Sequence, residues 1–193
     1  QFNIHTEIEN IKVTAVHEFF HSIQFSYNCF ERLWLMEATA VWSEDQLFNN
    51  INDLYRYLGS WFSNCNFKSI NDESNHMYGS FIYFQYLDEH LGGPEIIKNI
   101  WDHSKDNSSS TRDISFESID NILKKNNNSL DQTFHNMAIA NKILDEKDLL
   151  KDIFSLNDLE TDTVRLNAST IKQLFEDTDY KLEDVRKTKL VKP

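Results

Sequence analysis

His17-Glu-Phe-Phe-His21, inside the stretch from Thr6 to Asn28, is the part of this chain whose reading decides the fold. Around it Ile8, Ile11, Ala15, Phe19, Ile23 and Phe25, joined by Val16 and Phe20, recur at helical period with no Gly or Pro to interrupt them. The spacing predicts one long helix. Residues four apart on a helix share a face one turn from each other, so His17 and His21 point the same way. A second helix is predicted from about Arg32 to Leu47, where Leu33, Met36, Ala40 and Leu47 repeat at three, four and seven. The short link through Cys29, Phe30 and Glu31 makes the two helices antiparallel or steeply crossed neighbours.

Farther along, Asn52 or Asp53 caps a third helix bearing Leu54, Tyr57, Leu58, Trp61 and Phe62, and residues 69–75 read as loop. Tyr78 to Leu91 is a strongly aromatic helix closed by Gly92-Gly93-Pro94, a cap followed by a breaker, and Pro94 opens the next helix through Ile96, Ile97, Ile100 and Trp101. Lys105 to Thr111 is a polar loop, Phe116 to Lys125 a short helix, and Leu130 to Leu144 a helix that Ser129 caps. With only 4 Gly and 2 Pro, and 40% hydrophobic residues, the fold is expected to be mainly α. Beyond Asp145 the chain turns charged and loses its period, apart from a brief amphipathic patch of Leu149, Leu150, Ile153 and Phe154.

A net charge of −12 repels the phosphates of nucleic acid and the headgroups of an anionic membrane, so neither is an expected partner. No apolar run approaches the roughly 20 residues that cross a bilayer. The chain begins at Gln1 rather than Met, which leaves a signal segment or an upstream domain open. Cys29 and Cys65 match no zinc-finger spacing and either pair or remain thiols.

The chemistry lies in the first two helices. Two imidazoles on one helical face reach a single zinc ion, and Glu18, about 100° around the helix from His17, addresses a water beside it. A catalytic zinc needs a third protein ligand and an open position. Glu37 is the best candidate: it is a charged residue in the apolar run Trp34-Leu-Met-Glu37-Ala-Thr-Ala-Val-Trp-Ser-Glu44, costly to bury unless it pairs or binds metal. Its small neighbours Ala38 and Ala40 allow the helices to approach closely. Glu44, seven residues on, is either an acceptor that orients a ligand histidine or a surface ion-pair partner.

These two segments resemble the gluzincin branch of the zincin (MA-clan) metallopeptidases, in which a second helix supplies a glutamate to an HExxH site. Tyr55-Arg-Tyr-Leu58, Trp61-Phe62, His76-Met-Tyr78-Gly79 and Tyr86-Leu87 extend the likeness to a group of mostly bacterial or archaeal sequences assigned as metalloproteases. The resemblance covers roughly residues 12–103. It implies one zinc per chain on His17, His21 and Glu37, Glu18 as general base, a peptide or protein substrate, and secretion. It also implies a residue that stabilises the oxyanion, for which Tyr78 is first and His76 second.

Gluzincins usually carry a β-sheet before the HExxH helix, and few residues precede His17 here, so the sheet is expected to be reduced or to come from an upstream domain or a second chain. Their usual Gly after the third ligand is Ala38 in this chain. The expected organisation is a helical zincin-like domain over residues 1–144 and a charged segment, or the start of another module, over 145–193. A catalytically inactive binding or structural module on the same fold is the alternative function.

Overall fold

The computed structural model describes residues 5–145, which form eight α-helices, one 3-10 turn and one π-helical turn, with no strand among the described residues. The mainly α expectation holds. All but the first residue of the charged segment expected over 145–193 lies outside the described residues.

Helix α1 (Glu7–Asn28) starts at a reciprocal cap, in which Thr6 Oγ1 accepts from Glu9 N at 3.3 Å and Glu9 Oε2 accepts from Thr6 N at 2.7 Å. Helix α2 (Leu33–Leu47) is apolar nearly all round, and a helix of that kind belongs inside. Trp34, Leu35, Ala38, Thr39, Ala40 and Val41 are fully buried there, and α2 packs against α1, α4 (His76–Gly79) and α5 (Phe81–Leu87). The link between α1 and α2 is pinned to α6 (Pro94–Asp106): Asn28 Nδ2 donates to Ser104 Oγ at 2.9 Å, and Ser104 Oγ in turn donates to the buried Glu31 carboxylate. Burial pushes the Glu31 carboxyl up, against the pull of Ser104.

Three expectations about element bounds change. The third helix is a 3-10 turn (Asp53–Tyr57) running into α3 (Leu58–Asn64), entered from Asn52 in a left-handed backbone (φ 53°). The aromatic stretch is not one helix but α4, α5 and a π turn (Asp88–Gly92) in succession. At Ser80 the chain tightens to i→i+3 bonds, Ser80 N to Met77 O and Tyr83 N to Ser80 O, both 3.1 Å, while the Ser80 hydroxyl reaches out to Ile70 O at 2.7 Å. Gly93, at φ +67°, then reverses the chain into Pro94. Helix α6 also continues through Asp106, into the expected loop.

Helices α7 (Ser115–Lys125) and α8 (Leu130–Asp145) close the far side of the core, where Trp34 packs on Phe84 and Phe116 and Tyr83 packs on Phe134. Each buried polar tip finds a partner there: Trp34 Nε1 donates to Ser115 Oγ at 3.2 Å, and Tyr83 Oη bonds Thr133 Oγ1 at 2.8 Å.

The face of α1 singled out by its apolar period is its outer one. Ile8 is 65% exposed, Ile11 67% and Phe19 65%, and Ile23 continues the stripe. The inner face instead carries Val13, His17, His21, Gln24 and Asn28 against α2 and α6. No helix among the described residues is long and apolar enough to cross a membrane. Cys29 and Cys65 are not joined to each other: Cys29 is exposed, and Cys65 is half-buried with its Sγ 3.6 Å from Phe62 O.

Gly79 is where the packing admits no side chain, since a Cβ there would lie 3.0 Å from Cβ of Trp61. Gly79→Ala is expected to lower unfolding stability by about 1–3 kcal/mol, as overpacked cores do. A denaturant midpoint equal to that of the parent would show that α3 yields freely.

Candidate metal centre

Helix α1 presents His17 and His21 on successive turns of its inner face, and α2 presents Glu37 from mid-helix directly opposite. His17 Nε2 lies 3.1 Å from Glu37 Oε2, and His21 Nε2 lies 3.6 Å from the same oxygen. One ligand atom from each of the three residues falls within 4.8 Å of the others. Donors at zinc-ligand distances in a tetrahedral site are separated by about 3.3 Å, a value that the two separations bracket. In number and type these donors are those that zinc takes, and their mutual separations, up to 4.8 Å, would have to tighten on binding.

What holds the rings in place strengthens the fit. His17 Nδ1 bonds Glu44 Oε1 at 2.8 Å, and His21 Nδ1 bonds the side-chain oxygen of Gln24 at 2.6 Å. A carboxylate and an amide oxygen accept here, so each Nδ1 donates and each ring is held with its Nε2 facing Glu37. Glu44 is therefore an orienting acceptor, buried to 4% exposure, and not a surface ion-pair partner. Gln24 was not among the residues singled out by sequence. Its signal was nonetheless present: it lies one turn beyond His21 and two beyond His17, a polar side chain on the buried side of the helix.

Protonation of the histidines balances the carboxylates of the centre. Burial by itself lowers the His17 imidazole, but hydrogen bonds to Glu37 and Glu44 outweigh it and hold it at about 9. Burial raises the Glu37 carboxyl, and the two histidines more than reverse that, to about 2. His21 is raised, chiefly by Glu37, and Glu44 is raised by burial with His17 opposing.

Glu18 lies on the exposed side of α1 beside the histidines. Tyr78 comes to the centre from α4, its ring 6.5 Å from that of His17 and stacked on Tyr57 at 5.3 Å. Burial raises the Tyr78 phenol, and the charges of Glu37 and Glu18 raise it further, so it remains a hydrogen-bond donor at neutral pH. His76, two residues away, goes elsewhere: it stacks on Trp61 at 4.5 Å, is 3% exposed, and neither ring nitrogen has a hydrogen-bond partner among the described residues. Burial lowers its imidazole, and the charges that act on it are Asp72 and Lys68 rather than the carboxylates of the centre.

Two outcomes are expected. His17 contributes stability to the metal-free protein that is fully present below about pH 6.5, the ordinary value, and lost as pH rises through about 9. The melting temperature in chelator should fall across that window, and a flat profile would count against the His17 pairs. His76→Phe keeps the stack and removes two unpaired polar atoms, so its melting temperature should equal or exceed that of the parent. A drop of several degrees would mean that the imidazole has a partner that matters.

No characterised protein and no solved structure matches the chain. A family match spans residues 2–187, including both ligand helices and every residue of the centre. The chain belongs to the family of unknown function DUF6055.

Proposed function

We propose that this protein is a zinc-dependent peptidase of gluzincin type, in which His17, His21 and Glu37 hold the metal and Glu18 is the general base. The observation that carries this reading is the convergence of two imidazole Nε2 atoms and one carboxylate oxygen, each imidazole having its other nitrogen engaged by an acceptor. Three protein donors is the ligand count of catalytic zinc, whereas structural sites use four. When bound, zinc supplies Lewis acidity, polarising a carbonyl and lowering the pKa of water.

The protein's own groups do the rest. Glu18, exposed beside the ligands, takes a proton from the attacking water and returns it to the departing amine. Tyr78, its phenol protonated, donates to the carbonyl oxygen as negative charge develops there. Glu44 keeps His17 turned toward the metal throughout. His76 has no part, since Trp61 covers its ring.

The substrate is a peptide or protein, and the outer stripe of Ile8, Ile11, Phe19 and Ile23 is the surface for a covering β-sheet from an upstream domain or a second chain. The same exposed stripe favours the second reading, an inactive binding module that keeps the centre and uses the stripe for its partner. Secretion goes with the first reading, the full-length protein then being found in the culture medium.

Elemental analysis of protein purified without chelator should find one zinc per chain, lost in His17→Ala and in Glu37→Ala. Glu18→Gln should retain the zinc and cleave a denatured protein substrate at least ~100-fold more slowly, the lower end of what a general base contributes. No zinc, even after incubation with it, sinks the metal reading. Zinc with no cleavage by the parent protein selects the binding module.

A further inference from the structure

Gln24 is 1% exposed, and each atom of its amide is committed. The nitrogen donates to Met36 O at 2.8 Å and to Thr39 Oγ1 at 2.9 Å. Thr39 spends its own hydroxyl hydrogen on Leu35 O at 2.7 Å and accepts a further bond from Trp101 Nε1 at 3.3 Å. Rotating the Gln24 amide by half a turn would set its oxygen against the Met36 carbonyl, two acceptors with no hydrogen between them. The amide oxygen therefore has one direction to face, and that direction holds His21 Nδ1 at 2.6 Å.

Met36 immediately precedes Glu37. One side chain thus grips an imidazole on α1 with its oxygen and, with its nitrogen, the backbone turn of α2 that carries the third donor. We infer that Gln24 is the positioning residue of the centre, setting the His21 ring and its tautomer and holding His21 in register with Glu37. The inference rests on the metal reading above for its purpose, but its physical content belongs to the metal-free chain. Glu44 serves His17 from the C-terminal half of α2, so the two histidines are aligned from opposite sides by different chemistry, a carboxylate and an amide. The amide brings no charge, so His21 is oriented without a second buried carboxylate beside Glu37.

Two substitutions separate positioning from packing. Gln24→Met keeps the volume and loses the acceptor. Gln24→Glu keeps an oxygen for His21 Nδ1 but turns a carboxylate toward the Met36 carbonyl, which is worse for the fold. Positioning predicts opposite orders in two measurements. Zinc affinity, read by competition with a chelating dye, should fall about 10–100-fold in Gln24→Met, the usual effect of removing a ligand's orienting partner, and less in Gln24→Glu. Thermal unfolding of the metal-free proteins should place Gln24→Glu below Gln24→Met. The same order in both measurements, or parental zinc affinity in Gln24→Met, overturns the inference. The unsubstituted protein gives a reading that needs neither variant to fold: imidazole 15N spectra should show the His21 Nδ1 hydrogen held in a hydrogen bond to the Gln24 amide oxygen, and a His21 Nδ1 without that bond overturns the inference. If the parent takes up no zinc, the metal reading falls and these spectra alone decide the role of Gln24.

Discussion

A carboxylate on a largely buried helix has to be compensated, and the fold around α1 and α2 is arranged by how this is done. Glu37 occupies the middle of a helix whose neighbours Met36, Ala38, Thr39 and Ala40 are all buried. An isolated charge there costs several kcal/mol. Two imidazoles answer it from α1. Each imidazole in turn needs a partner for its far nitrogen, which brings Glu44 and Gln24 into the interior, and Gln24 then needs Met36 O and Thr39. The chain of obligations ends at Trp101 on α6, so the centre is continuous with the packing of three helices.

This explains the unusual two-sidedness of α1. A surface helix commonly turns its apolar stripe inward. Here the polar residues face in, because the centre is there, while Ile8, Ile11 and Phe19 face out. Opposite four polar residues, His17, His21, Gln24 and Asn28, the described part of the chain leaves this apolar stripe uncovered. The direction of α1 and the chemistry of the centre are one fact seen from two sides.

The two aromatic neighbours of the centre show how steeply environment changes over a short stretch of chain. Tyr78 and His76 lie on the same short helix, α4, yet one ring borders His17 and the other is sealed under Trp61. Two residues on a helix are about 200° apart, so they face nearly opposite ways. Gly79 permits this, because it lets Trp61 lie flat against the helix where a Cβ would touch it.

The sequence by itself determined most of the helices and which three side chains, His17, His21 and Glu37, come together. Period, capping residues and the Gly92-Gly93-Pro94 break are local properties, and the spacing of His17 and His21 determines their shared face once a helix is granted. Glu37 was legible because a lone charge in an apolar run asks for a partner. The tertiary structure alone decided which face of α1 is covered, because periodicity marks an apolar stripe without saying whether this chain or another buries it. It alone decided the roles of Glu44 and Gln24, since an orienting hydrogen bond depends on a partner tens of residues away or on a backbone carbonyl of another helix. It also separated Tyr78 from His76, as the outcome turns on where Trp61 packs, a contact that no local pattern encodes.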